Sequence, residues 1–183
     1  MRVISGKYKG KKLQGFDIDG TRPTMDRVKE SLFATIQNKI EDANCLDLFA
    51  GSGALGIEAL SMNAKSCDFV DNNPIAIKTI RENLINIENN YQVINIDYKK
   101  HLKETNKKYD IIFLDPPYKN NLLNKALKYI EENNLLKENG IVICEYEIEE
   151  PITNLTLLTS KKYGIKKIKI FINEIQWKIV FFL

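Results

Sequence analysis

The chain has 183 residues, 44% hydrophobic and 28% charged, with a net charge of +3. That length suits one core and not two, and that balance excludes disordered, collagenous and low-complexity classes. No apolar run approaches the ~18 residues needed to cross a bilayer. The basic start MRVISGKYKGKKLQGF has no apolar core of signal-peptide length, so a cytoplasmic protein is expected. Cys45, Cys67 and Cys144 are isolated, odd in number and set in apolar surroundings. They read as buried thiols of a reducing compartment, not as a disulfide frame or a zinc site. The single histidine, His101, cannot form a histidine metal cluster, so no metal is expected. Charge is unevenly spread: residues 1–30 carry +4, residues 31–160 carry −6 and residues 161–183 carry +5. Basic ends around an acidic middle point to a polyanion held by the ends. The plainer reading is that lysines keep the chain soluble.

Residues 1–20 read as a short β-hairpin arm. Val3, Ile4, Tyr8, Leu13 and Phe16 alternate with small and basic residues, and glycines at 6, 10, 15 and 20 punctuate them. Residues 23–40 read as a helix, with Val28, Leu32, Phe33, Ile36 and Ile40 on one apolar face. A basic arm-and-helix segment, 1–40, is thus expected before a main domain, 41–183, and an arm with five basic residues in its first twelve is expected to contribute little to the core. Strands are expected at 44–49, 67–71, 91–97, 109–115 and 140–147, with helices at 54–62, 74–88 and 121–133 between them. Such alternation of apolar strands with helices is the mark of a parallel sheet covered on both faces. The tail, LTLLTS, IKKIKIFI and IQWKIVFFL, is β-rich without a helix, so it should pair antiparallel at one edge.

Residues 47–56 read DLFAGSGALG. Gly51, Gly53 and Gly56 match G-x-G-x-x-G between a strand and a helix, and Asp71 lies 20 positions after Gly51, at the end of the second strand. Asp71 is placed to accept from ribose hydroxyls. Spacing alone fits a dinucleotide. However, Asp47 stands four residues before the first glycine and would face the same crevice, where a carboxylate disfavours a pyrophosphate. It favours a ligand with an ammonium or sulfonium group, and S-adenosylmethionine has both. Asp97, at the end of the third strand, is placed for the adenine amino group, with Tyr98 to cover the ring. Phe49 and Asn72 complete the candidate cofactor rim.

Asp115-Pro116-Pro117-Tyr118 follows the fourth strand at the same edge. Two prolines stiffen the loop and leave carbonyls without local partners. The chemistry this suits is recognition of an exocyclic amino group on a planar base. Asp115 and the Pro116 carbonyl would accept its two N–H groups, and Tyr118 would stack on the base. The base must leave its stack to enter such a pocket.

With these residues in hand, the chain resembles the bacterial 16S rRNA (guanine-N2)-methyltransferases. The segments that carry the resemblance are RVISGKYKGKKL, TRPTMDRVKESLF (21–33), CLDLFAGSGALGIEAL (45–60), FVDNNP (69–74) and IFLDPPY (112–118), within about residues 1–165. The family more often has Glu where this chain has Asp71. After Lys162-Tyr163-Gly164 the family ends in one short strand, whereas this chain continues through IKKIKIFINEIQWKIVFFL. The resemblance implies a Rossmann-like α/β fold with a mostly parallel seven-stranded sheet and an antiparallel C-terminal edge. It implies S-adenosylmethionine as cofactor, with ribosomal RNA or the small subunit during assembly as partner. It assigns Gly51, Gly53 and Asp71 to the cofactor and Asp115 to Tyr118 to catalysis. The arm residues Arg2, Lys7, Lys9, Lys11 and Lys12, with Arg22 and Arg27, are the expected RNA contacts. Nothing requires more than a monomer. Three rival readings remain: an adenine-N6 or DNA amino-methyltransferase, an NAD-linked oxidoreductase, and a non-catalytic RNA-binding assembly factor.

Overall fold

The computed structural model describes residues 1–15, 23–117 and 120–174, and only the backbone of residues 23–25. Seven strands form one sheet: β1 (Asn44–Leu48), β2 (Ser66–Asp71), β3 (Asn90–Asn95), β4 (Tyr109–Leu114), β5 (Leu136–Tyr146), β6 (Thr156–Tyr163) and β7 (Lys166–Ile172). Their order is β3-β2-β1-β4-β5-β7-β6. The first five run parallel, and β7 runs antiparallel between β5 and β6. The expected parallel sheet with an antiparallel edge is therefore present, with the tail's second strand inserted inside its first. The last expected strand, IQWKIVFFL, lies outside the described residues.

The central strands are apolar throughout because both faces are covered. Odd and even residues of one strand feed two separate cores. Cys45, Cys67, Phe69, Ile111, Phe113, Ile141 and Ile143 pack under α1 (Pro23–Ile36), α2 (Ala54–Ser61) and α3 (Pro74–Asn83). Leu46, Leu48, Val70, Ile112, Leu114, Val142 and Cys144 pack under α4 (Tyr98–Glu104) and α5 (Leu122–Glu132). The three cysteines are buried free thiols. Helix α4 is absent from the expectation above. It is short, and His101 and Leu102 are its only buried residues, too few to make a legible apolar stripe. Helix α3 stops at Asn83 instead of reaching residue 88, because the chain turns out of the helix at Asn86, whose φ of 65° is left-handed.

The N-terminal arm differs most from expectation. Only Arg2 and Lys12 pair as strand residues, although Val3 N–H donates to Lys11 O at 2.9 Å and Gly10 N–H to Val3 O at 2.9 Å. An arm of this composition was expected to stay clear of the core, yet Val3 and Leu13 are 1% and 5% exposed and belong to it. Glu58 on α2, fully buried, explains the docking. Its carboxylate accepts from Ile4 N–H at 3.0 Å and Ser5 N–H at 2.7 Å, and it pairs with the buried Lys29 of α1 at 2.9 Å. Removing either charge would leave the other buried without its partner, a loss of about 3–5 kcal/mol.

Candidate active site

The parallel register brings the strand ends into line. Leu48 pairs with Val70 and with Leu114, and Leu114 pairs with Cys144. The next residues along each strand therefore emerge at one rim: Phe49, Asp71, Asp115 and Glu145. Open α/β sheets bind ligands at this carboxyl edge.

At its centre the chain leaves β1 through Phe49, whose φ of 66° is left-handed. For a bulky residue that conformation costs of order 1–3 kcal/mol, and such strain collects at functional turns. It brings the Phe49 ring to 5.0 Å from that of Tyr98, at the start of α4. Gly51 and Gly53 follow with φ of 56° and 77°, where a side chain would be strained. Gly56 has a different reason. A Cβ there would lie 2.3 Å from Phe69 Cε1 and 2.6 Å from Cys67 Sγ, so glycine lets α2 pack against β2.

Two aspartates hold this loop. Asp71 Oδ2 accepts from Gly51 N–H at 2.9 Å, and its Oδ1 accepts from Asn73 N–H at 2.8 Å. Each oxygen keeps a second lone pair for a ligand hydroxyl. Asp47, 3% exposed, accepts from Gly56 N–H at 2.9 Å through Oδ2. Burial pushes its carboxyl up to about 7, against the pull of that N–H. A buried carboxyl raised in this way gains from a cationic partner, which fits the ammonium or sulfonium of S-adenosylmethionine. Asp97 is exposed and caps α4, accepting from Lys99 N–H at 3.0 Å and Lys100 N–H at 3.3 Å. Asn72 is exposed beside Asp71. All the expected cofactor residues therefore share the rim.

On the neighbouring strand Asp115 is half-buried, Pro116 buried and Pro117 exposed. Tyr118 lies outside the described residues. Burial pushes the Asp115 carboxyl up to about 8, with Glu145 adding to the rise and Lys166 opposing it. Glu145 and Lys166 form an ion pair between β5 and the start of β7. Neither was legible as a site residue, because only the strand register places Glu145 beside the end of β4.

Five of the seven expected RNA contacts lie on the arm, which docks against α1 where Lys29 Nζ donates to Arg2 O at 2.6 Å. Arg22 lies outside the described residues, and Arg27 is exposed on α1. Arg2, Lys9 and Lys12 are exposed. Lys7 pairs with Glu88 at 2.8 Å, and Lys11 donates to Ile85 O at 2.6 Å. Both partners follow the C-terminal end of α3, so the arm's tip docks at the end of the helices away from the rim. Among the described residues, no helix is long and apolar enough to cross a membrane, and no group of three or more His, Cys, Asp or Glu could hold a metal ion.

Comparison with known proteins places this site in a family. A family model described as conserved hypothetical protein 95 matches residues 1–172. Ribosomal RNA small subunit methyltransferase D of Haemophilus influenzae is 38% identical over 181 residues, covering 94% of each chain. The chain belongs to this methyltransferase D family. The match extends the resemblance past residue 165 and through β7, and the chain beyond residue 172 lies outside the family model. Among solved structures, yhhF from Escherichia coli has 34% identity and a TM-score of 0.85, covering 95% of this chain and 98% of that one. The Thermus thermophilus 16S rRNA N2 G1207 methyltransferase, solved with AdoMet and guanosine, shares the fold. Its TM-score is 0.65 at 18% identity, over 87% of this chain and 45% of that one.

Proposed function

We propose that the protein transfers a methyl group from S-adenosylmethionine to the N2 amino group of a guanine in small-subunit ribosomal RNA. The observation that carries this reading is the register of β1 against β4, which sets Asp115-Pro116 beside the glycine loop with an acceptor carboxyl turned to no described donor. The residues fit the cofactor: Asp47 would hold its cationic end, Asp71 its ribose, and Phe49, Asp97 and Tyr98 its adenine side. When bound, S-adenosylmethionine supplies an activated methyl group on a positive sulfur. Asp115 accepts one N–H of the amino group and the Pro116 carbonyl the other, so the nitrogen lone pair is aimed and not free to rotate. As positive charge develops on the nitrogen, the Asp115 carboxylate stabilises it more than it stabilises the neutral amine. The half-buried site strengthens that interaction.

The relatives' names support ribosomal RNA as substrate. The buried Asp47 beside the loop counts against a pyrophosphate and hence against a nicotinamide oxidoreductase. Arg2, Lys9, Lys12, Arg22 and Arg27 remain proposed phosphate contacts. Radiolabelled methyl transfer should be measured on a 16S rRNA transcript, on small subunits and on duplex DNA, followed by nucleoside digestion. N2-methylguanosine from either RNA substrate is expected. Transfer to DNA alone, a methylated adenine, or no transfer to any substrate would overturn the reading.

A further inference from the structure

The two helices on the second face of the sheet carry a concentration of positive charge that the mechanism above does not use. A groove of about 340 Å³ between α4 and α5 is lined by Tyr98, Lys99, Lys125, Lys128, Tyr129 and Glu132. Both helices start at the rim: α4 immediately after Asp97, with two residues between it and β3, and α5 just beyond the Asp115-Pro116-Pro117 loop. The groove is continuous with the site, since Tyr98 packs on Phe49 of the glycine loop at 5.0 Å. Lys125 donates to Asn120 O, on the segment that follows the proline pair, at 2.9 Å.

Its charges are held in place and poorly neutralised. The Lys99 and Lys103 ammoniums lie 5.7 and 5.4 Å from the centroid of one ring, the Tyr129 ring of the lining, so that ring holds two flexible side chains at the groove, Lys99 within its lining and Lys103 beside it. Glu132 is the one carboxylate of the lining, 3.7 Å from Lys128. Among the described residues, no carboxylate lies within ion-pair distance of Lys99, Lys100, Lys103 or Lys125. Like charges gathered this closely repel one another, and a polyanion relieves the repulsion. The arm is a contrast. Lys7 and Lys11 already have partners, and they dock away from the rim.

We propose that the α4–α5 groove takes the RNA phosphate backbone flanking the target base, with Lys99, Lys103, Lys125 and Lys128 as phosphate contacts and Tyr129 as the residue that positions Lys99 and Lys103. The proposal rests on the reading of the substrate as RNA. On it, the RNA crosses the rim from the arm's face of the sheet to the opposite face, and the target base enters between them.

The test is the salt dependence of binding. Lys99, Lys103, Lys125 and Lys128 are replaced together by Gln, and in a second protein together by Arg. Each is titrated with a 16S rRNA transcript and with small subunits over a series of KCl concentrations. The Gln protein should lose about tenfold or more in affinity, and the slope of log affinity against log salt should fall by up to about 0.7 for each lost single-strand contact. The Arg protein should keep both affinity and slope, while S-adenosylmethionine affinity stays unchanged in both as the check on folding. Tyr129→Leu should weaken RNA binding less than the Gln set, without changing cofactor affinity. An unchanged salt slope in the Gln protein overturns the groove, even where the unaltered protein methylates RNA. Absence of RNA methylation by the unaltered protein overturns the functional reading instead.

Discussion

On the β1–β2 side of the rim, carboxylates are spent on the backbone. Asp47 accepts from Gly56 N–H, and Asp71 from Gly51 and Asn73 N–H. On the β4 side, Asp115 accepts from no described donor and shares its surroundings with the Glu145–Lys166 pair. The difference separates two tasks. A cofactor that binds in one pose is best met by groups already fixed, since ordering them on binding would cost affinity. A group that acts on charge appearing only in the transition state is best left with its lone pairs unspent. The loop stays in place by other means: two prolines fix its backbone without needing hydrogen bonds to the carboxylate.

The largest effect expected from this contrast is at Asp115. Asp115→Ala should lower turnover by about 10²–10³, the usual cost of one electrostatic partner, while S-adenosylmethionine affinity stays within a few-fold. The carboxylate is the active form, and burial pushes its pKa up to about 8, so kcat/KM should rise with pH and level off above that value. Asp115→Asn keeps a hydrogen-bond acceptor without the charge, so it should be slower than the parent but faster than Asp115→Ala, with the pH rise gone. A folded Asp115→Ala protein with parental turnover would erase the distinction between the two sides.

The opposite pattern is expected at Asp71. Asp71→Ala removes an acceptor from two backbone N–H groups as well as from the ligand. Binding of S-adenosylmethionine and of its demethylated product should weaken together, by about 1.5–3 kcal/mol. Both carry the same ribose, so isothermal titration should show equal losses. A loss in turnover without a loss in affinity would place Asp71 on the chemical side of the rim.

Much of this contrast could be read from the chain. Asp47, Asp71 and Asp97 each stand at or next to the end of an apolar run, and strand ends of a parallel sheet share one rim. Gly51 and Gly53 could be read as a turn because glycine, without a Cβ, adopts φ near +60° at no steric cost. What could not be read depends on partners distant in sequence. Glu58 looks like an ordinary helix residue, and only the folded chain shows it gripping Ile4 and Ser5 N–H, some fifty residues away. Val3 and Leu13 stand among five basic residues, whose charge made the arm read as outside the core when it is part of it. Glu145 ends its strand much as Asp115 does, but without a flanking motif nothing marked it. Helix α4 hides for a related reason, since it turns only two residues inward.

The smallest expected effect sharpens what burial does to Asp47. Burial pushes its carboxyl from the ordinary 3.8 of the unfolded chain up to about 7 in the fold. The native state therefore holds the proton more tightly, and the stability this gives is full below about pH 4 and is lost as pH rises through 7. Asp47→Asn carries no charge to bury and can still accept from Gly56 N–H through its carbonyl. Without ligand, its stability relative to the parent should therefore improve between pH 5 and pH 8, by about 2–3 kcal/mol in chemical denaturation. With ligand the order should reverse, because the parent's carboxylate is then opposed by a cation. The variant should weaken S-adenosylmethionine while sparing adenosine, which has no ammonium or sulfonium. Equal losses for adenosine and the full cofactor would show that Asp47 serves only the turn at Gly56, and the cofactor's cation would then need another partner at the rim.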